Sequence, residues 1–281
     1  MTCLITGATS GIGKATALAI ARRGIHTVIV GRNHEKCLRT ALHIKQKSRS
    51  EAVDFFIADL ASLSDVRKVA AAFKEKYSKL DILVNNVGAR FMNYIQSPDG
   101  YEMTFALNHL SGFLLTHLLM DTLNKCKVSR IVNVASGAHA RALELESLLV
   151  NVENYDGRKA YAQSKLANLL FTYELSRRVA GTGITVNAVD PGGVATNFNR
   201  NNGFRFWLRH IGAHILARNL TGPQKGAETS VYLAISQDVE GITGRYYRYR
   251  QPIESSPASY DRKAAKRIWE LSEKFTGMSS T

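Results

Sequence analysis

Two tyrosines in this sequence stand four positions ahead of a lysine: Tyr155 before Lys159, and Tyr161 before Lys165. On a helix that spacing puts a phenol and an ammonium one turn apart on the same face. A nearby ammonium stabilises phenolate and lowers a phenol pKa of about 10 toward the working range. The phenol can then exchange a proton with a substrate oxygen while hydride moves at the adjoining carbon. The pattern arises easily by chance, so its setting decides. Tyr155 lies beside Asp156-Gly157, a turn signal that takes it off the face of its lysine. Tyr161-Ala-Gln-Ser-Lys165 lies inside a helical pattern whose buried stripe is Leu166, Leu169, Leu170 and Tyr173. Tyr161 is therefore the expected acid/base.

A second group of residues has the makings of a nucleotide site. Thr6-Gly7-Ala8-Thr9-Ser10-Gly11-Ile12-Gly13 joins a short apolar run to an Ala-rich helical segment. Glycines at such a junction let the backbone approach a pyrophosphate seated on the helix N-terminus. The spacing G-x-x-x-G-x-G differs from the general dinucleotide fingerprint, G-x-G-x-x-G. It departs from a P-loop as well: five residues separate Gly7 from Gly13-Lys14, and Ala15 stands where a magnesium-binding hydroxyl belongs. After the second apolar run comes Gly31-Arg32-Asn33. An NAD enzyme wants Asp or Glu there for the ribose hydroxyls. A guanidinium instead pairs with a 2′-phosphate that a carboxylate would repel, so NADP(H) is the expected cofactor.

These groups need a scaffold, and the rest of the pattern supplies one. Short apolar runs at 2–6, 26–30, 53–58, 80–84, 131–135, 184–189 and 244–249 read as strands. Helical segments fall at 12–23 (stopped by Gly24), 34–47, from a Ser62 or Ser64 cap to about Tyr77, and at 101–125, 158–180 and 224–236. This alternation predicts an α/β fold: a single doubly wound Rossmann domain with a mostly parallel sheet. Residues 1–250 are expected to form the NADP(H)-binding catalytic domain, with 251–281 an extension packed on it.

Taken in order, Thr6-Gly7-x-x-x-Gly11-x-Gly13, Asn85-Asn86-Val87-Gly88, Asn108, Ser136, Tyr161-x-x-x-Lys165 and Pro191-Gly192 resemble the short-chain dehydrogenase/reductase family over residues 2 to about 250. The stretches 130–136 and 161–168 are similar to its retinol-dehydrogenase-like branch. Val87 departs from the family's usual Ala and adds bulk near the cofactor. The resemblance implies a catalytic set of Asn108, Ser136, Tyr161 and Lys165. Ser136 would hold the substrate oxygen, and Asn108 would anchor a water in a proton relay to Lys165. It also implies cofactor contacts. Gly7, Ser10, Gly11, Ile12 and Gly13 would take the pyrophosphate side, with Arg32 and Asn33 at the adenosine phosphate. Asp59, next to Leu60, would accept from the adenine amino group, while Asn86 and Gly88 would line the adenosine ribose. Tyr161 and Lys165 would flank the nicotinamide ribose, Pro191 and Gly192 would shape the nicotinamide pocket, and Thr196 would bond the carboxamide. Plainer roles stay open for some of these. Asp59 could be a strand-end turn residue, Asn86 a tether between strands, and Asn108 a mid-helix amide bonded to nearby backbone. Ser111 and Ser164 read as local helix residues.

The gap of 25 positions between Ser136 and Tyr161 is longer than in many members, and 137–157 is expected at the substrate mouth. In the family, 197–220 is the lid. Here Phe204, Trp207, Leu208, Ile211, Ile215 and Leu216 alternate with Arg205, Arg209 and Arg218, which predicts a lipophilic substrate. Packing on the protein's own body is the first expectation for this lid, with peripheral contact to an anionic membrane the second.

The formal net charge of +14 suits polyanions in general and selects none of them. Arg245, Arg248 and Arg250 among Tyr246, Tyr247 and Tyr249 are better explained as alternation on an edge-like strand than as a nucleic-acid surface. His210 and His214 lack further ligands, so no metal is expected. Cys3, Cys37 and Cys126 read as free thiols of a reducing compartment. No apolar run reaches membrane-spanning length, and no secretory leader precedes the first strand, so a cytoplasmic chain is expected. Family members often pair through their long central helices, which makes a homo-oligomer one option. The competing functional reading is a catalytically silent NADP(H)-binding regulator or scaffold.

Overall fold

Runs rich in β-branched residues form strands buried on both faces, and the segments between them supply the covering helices. The computed structural model describes residues 1–144, 152–194, 202–203 and 221–278. In chain order the first half reads β1 (Thr2–Thr6), α1 (Gly11–Ala21), β2 (His26–Gly31), α2 (His34–Ser48), β3 (Val53–Ile57), α3 (Leu63–Lys76) and β4 (Ile82–Asn85). Then follow α4 (Met103–Phe105), a π-helical turn (Ala106–Leu110), α5 (Ser111–Leu118), α6 (Met120–Asn124) and β5 (Ser129–Val134). The second half holds α7 (Gly157–Arg178), β6 (Ile184–Asp190), α8 (Pro223–Ile235), β7 (Tyr246–Arg248), β8 (Gln251–Ile253) and α9 (Arg262–Thr276).

The strand order is β3-β2-β1-β4-β5-β6-β7-β8, parallel throughout except for the antiparallel β7–β8 pair. The order reverses between β1 and β4, so the loops leaving those two strands diverge and open a crevice at their C-terminal ends. Alternate β1 residues feed the two cores. Leu4 joins Phe73, Phe105, Phe113, Leu166 and Trp269 on one face, while Cys3 and Ile5 join Ile20, Ile44 and Leu233 on the other. The single doubly wound domain with a mostly parallel sheet is therefore present.

Three features differ from the sequence reading. The segment 101–125 is not one helix: it is broken into α4, the π turn, α5 and α6. Strand β7 is not an edge, because β8 pairs with its outer side; Tyr246 and Tyr247 are both buried, so the strand is interior. Residues beyond 250, assigned no elements from sequence, supply β8 and α9. Helix α9 packs on α7, with Ala265, Ile268, Trp269, Ser272 and Thr276 buried. The Trp269 ring meets Phe113, His117 and Phe171, and the Arg178 guanidinium lies 4.0 Å from it. The Arg67 guanidinium, from α3, donates to the Thr276 carbonyl at the far end.

Ser62 is the cap of α3, accepting from Asp65 N. Cys3, Cys37 and Cys126 are buried and unpaired. Among the described residues, no helix is long and apolar enough to cross a membrane.

Candidate active site

The glycine turn folds as it does because side chains do not fit. Gly7 has φ +64°, and a Cβ there would stand 2.9 Å from Val87 Cα. A Cβ on Gly13 would stand 2.4 Å from Asn86 Nδ2 and 2.6 Å from the Gly7 carbonyl. The turn is thus pressed against the loop leaving β4. Asn86 holds the two together, its Nδ2 donating to the carbonyls of Thr6 at 2.8 Å and Gly7 at 3.3 Å. The tether role left open for Asn86 is the one observed. Ser10 caps α1 without a side-chain hydrogen bond, and Gly11 and Ile12 begin the helix half-buried. First-turn amides with no capping side chain, reached over glycines, form a cradle that fits a pyrophosphate.

Arg32 is exposed just past β2 with no carboxylate at positions 31–33, which fits a phosphate better than a bare ribose. Asn33 has a structural task, since its Oδ1 accepts from Lys36 N and caps α2. Asp59 behaves as the strand-end turn residue, with Oδ1 accepting from Ala61 N at 3.1 Å. Leu60 packs into the core.

Tyr161 and Lys165 lie on the first turns of α7, where Asp156 supplies the N-cap. Tyr155 falls outside the helix; its hydroxyl donates to the Phe91 carbonyl and meets Glu102. Gly157 has a further reason to be glycine: a Cβ there would stand 2.1 Å from the Phe91 carbonyl oxygen. Ser136, two residues beyond β5, lies close enough to the Tyr161 phenol to favour its ionised form, and its Oγ accepts from Ala138 N. Lys165 is 3% exposed, with Nζ donating to the Val134 carbonyl at 2.8 Å. Burial pushes the lysine down to about 8, and Asp190 partly opposes that. Burial likewise raises the Tyr161 phenol, against the opposing influence of Ser136 and the charge of Arg90. The expected lowering is therefore not the net outcome: desolvation of the phenolate outweighs Ser136 and the Arg90 charge.

Asn108 sits in the π turn. Its Oδ1 accepts from Ala89 N at 2.8 Å, while its Nδ2 donates to Ala89 O at 2.9 Å and to Ser164 Oγ at 3.0 Å. The Asn108 carbonyl in turn accepts from Asn168 Nδ2. Asn168 Oδ1 lies 3.1 Å from His109 Nδ1, and His109 Nε2 lies 2.8 Å from Ser272 Oγ on α9. Burial pushes His109 down to about 4, so this link is neutral at ordinary pH. Gly88 leaves room for both groups: a Cβ there would be 3.3 Å from Lys165 Nζ and 3.4 Å from Asn108 Oδ1.

Ser164 and Ser111 bond local carbonyls, those of Tyr161 and Leu107, and Ser164 also receives Asn108. Pro191 and Gly192 follow β6 half-buried. Thr196, the whole 197–220 lid except Asn202 and Gly203, and 145–151 of the insertion lie outside the described residues.

Two functional neighbours escaped the sequence reading. Arg90, two positions past Gly88, places its guanidinium carbon 5.9 Å from the Tyr161 ring centre. Asp190, at the end of β6, is buried; it accepts from Gly192 N and lies 3.7 Å from Arg248 Nε. Their only signal was adjacency to Asn-Asn-Val-Gly and Pro-Gly.

Ser136, Tyr161 and Lys165 thus converge beyond β5, with the glycine cradle at the β1–β4 crevice. A polarised substrate oxygen, a proton donor and a bound dinucleotide are what this arrangement can serve. Residues 1–204 match the family model described as short chain dehydrogenase. The chain is 37% identical to human retinol dehydrogenase 13, over 99% of its own length and 85% of that protein's. Among solved structures, an uncharacterised protein from Mycobacterium paratuberculosis aligns with a TM-score of 0.78 at 32% identity, covering 99% of this chain and 94% of that one. An actinorhodin polyketide ketoreductase variant with NADPH aligns with a TM-score of 0.68 at 26% identity, over 87% and 94% of the two chains.

Proposed function

Because the chain belongs to the short-chain dehydrogenase/reductase family, in its retinol-dehydrogenase-like branch, we propose that it is an NADP(H)-dependent enzyme that interconverts a carbonyl and an alcohol on a lipophilic substrate. The observation that carries this reading is the convergence of Ser136 and Lys165 on the Tyr161 phenol, with the lysine buried and its Nζ 5.8 Å from the ring centre. Gly7, Gly11 and Gly13 would seat the pyrophosphate, Arg32 the 2′-phosphate, and Lys165 the nicotinamide ribose. The bound nicotinamide would supply or take the hydride. Ser136 orients the substrate oxygen, and Tyr161 gives or removes its proton. Asn108 positions the loop that carries Gly88. Support for a lipophilic substrate comes from the retinol named for the human relative, and support for NADP(H) from Arg32 and the NADPH-bound ketoreductase.

The silent-scaffold alternative makes a different prediction for one experiment. NADPH oxidation is followed against a panel of lipophilic carbonyls that includes all-trans-retinal, with NADPH binding read separately by fluorescence. Turnover that disappears in Tyr161→Phe while NADPH still binds is expected. Undiminished turnover in that variant would sink the role of Tyr161, and NADPH binding without turnover of any carbonyl would favour the scaffold.

A further inference from the structure

Tyr161 has two cations of different origin within 6 Å of its ring centre. Lys165 Nζ lies 5.8 Å from the phenol ring centre and Arg90 Cζ lies 5.9 Å from it. The lysine comes from the tyrosine's own helix, as the Tyr-x-x-x-Lys spacing requires. The arginine comes from the loop after β4, which no spacing rule connects to α7.

That loop is held residue by residue. Asn108 takes both backbone groups of Ala89. Asn202 donates to the Arg90 carbonyl at 2.7 Å and accepts from Met92 N at 2.8 Å. The Tyr155 hydroxyl donates to the Phe91 carbonyl at 2.9 Å, and Gly157 presses against that same carbonyl. Four consecutive residues are thus fixed by the π turn, by Asn202 and by the start of α7. The guanidinium is delivered to the phenol by a backbone with little freedom to withdraw it.

The arginine is half-buried. Burial and the like charge of Arg158 act against its ionised form, while Tyr161 favours it. A guanidinium does not release its proton in proteins, so it acts here as a permanent charge. We propose that Arg90 is a second cation of the acid–base centre, working with Lys165 to favour the phenolate of Tyr161 by charge alone. The proposal rests on Tyr161 being the acid/base.

The groups facing the phenol from the surrounding elements pull in both directions. Ser136, after β5, favours phenolate, as Arg90 does. Asp190, at the end of β6, opposes phenolate, and Tyr246, on β7, is near enough for Tyr161 to raise the Tyr246 phenol. Burial opposes phenolate most of all. In such a balance a permanent cation whose guanidinium carbon lies 5.9 Å from the ring centre shifts how much phenolate is present at a given pH.

Tyrosine ionisation can be read without any substrate. The full chain, labelled with [13Cζ]tyrosine, is titrated by NMR from about pH 7 to about pH 12, and Tyr161→Phe identifies the signal by its loss. Arg90→Met and Arg90→Gln remove the charge, and Arg90→Lys keeps it. The remaining tyrosine signals report whether each variant is folded. In both neutral variants the Tyr161 midpoint is expected to rise by about one pH unit, a roughly tenfold loss of phenolate at fixed pH, with Arg90→Lys returning most of it. An unchanged midpoint in whichever neutral variant folds overturns the proposal and leaves the guanidinium for an anionic group of the substrate. A wild-type Tyr161 that stays protonated across the range overturns it too. Because the readout needs no turnover, it fails separately from the functional reading, which Tyr161→Phe kinetics decide.

Discussion

Asn108 grips Ala89 by both of its backbone groups, accepting from its amide at 2.8 Å and donating to its carbonyl at 2.9 Å. The grip depends on the π turn, which brings the Asn108 side chain to the loop after β4 and leaves its carbonyl for Asn168. Asn108→Asp keeps the shape but loses the donor that faces Ala89 O and Ser164. An acceptor buried against an acceptor costs about 1–3 kcal/mol. The melting temperature should fall by about 2–4 °C per kcal/mol, and turnover should fall at least about tenfold as Gly88 and Arg90 lose their placement. Calorimetry and steady-state kinetics on a neutral carbonyl check this; unchanged values in both would mean the grip is dispensable.

Lys165 carries a pH signature. An unfolded lysine holds its proton to about pH 10.4, whereas folded Lys165 is pushed down to about 8 by burial. Between those values the unfolded chain binds more protons, so this residue's contribution to stability improves as pH rises and is worst below about pH 8. Lys165→Met removes the buried ammonium. It should melt above wild type at pH 7 by the equivalent of about 1–3 kcal/mol, after allowing for the lost Val134 hydrogen bond. The difference should shrink by pH 10, while turnover is lost throughout. A melting gap that stays constant across that range would contradict the burial cost.

Arg32 should set the cofactor preference. Arg32→Asp exchanges a cation for an anion at the site proposed for the 2′-phosphate. A charge-assisted hydrogen bond of about 1.5–3 kcal/mol is lost and a repulsion is added. The ratio of kcat/KM for NADPH over NADH should fall about 100-fold or more and reverse in sign of preference. An unchanged ratio assigns Arg32 to solvent.

Gly157 tests the contact between α7 and the loop after β4. Gly157→Ala would put its Cβ against the Phe91 carbonyl. Overpacking of this kind costs about 1–3 kcal/mol, and the shift should reach Arg90 and lower kcat more than it raises KM. The analogous Gly181→Ala, where a Cβ meets nothing within 4 Å, separates the clash from the loss of glycine itself, although its φ of +83° brings its own strain. Equal kinetic effects from both would remove the proposed contact from the argument.

Much of the framework was legible because its physics is local. Parallel strands buried on both faces must be short apolar runs, so β1, β2 and β6 could be placed to within a residue or so. The glycine turn, too, is forced by backbone geometry. What could not be read depends on partners distant in sequence. The π turn at Asn108 lies in a stretch buried on nearly all sides, polar residues included, where one extra residue in a turn leaves no change of period. Helix α9 did have an amphipathic stripe through Ala265, Ile268, Trp269 and Ser272, but its many charges obscured it. Strand β8 exists only because β7 offers a free edge; its three residues are exposed and include Pro252. Arg90, in a loop, and Asp190, the last residue of β6, carry no local signal until the fold brings them near Tyr161.

Helix α9 has a consequence for assembly. It covers α7 and reaches Phe113 and His117 on α5, the central helices offered above for pairing. A second copy approaching that face would compete with a segment of the first chain, tethered at an effective concentration on the order of millimolar. Pairing through those helices would have to release α9, which would expose Trp269 and free Ser272 from His109. Dimerisation by that route would be linked to the polar chain that ends at Asn108, so assembly and catalytic competence would draw on the same helix.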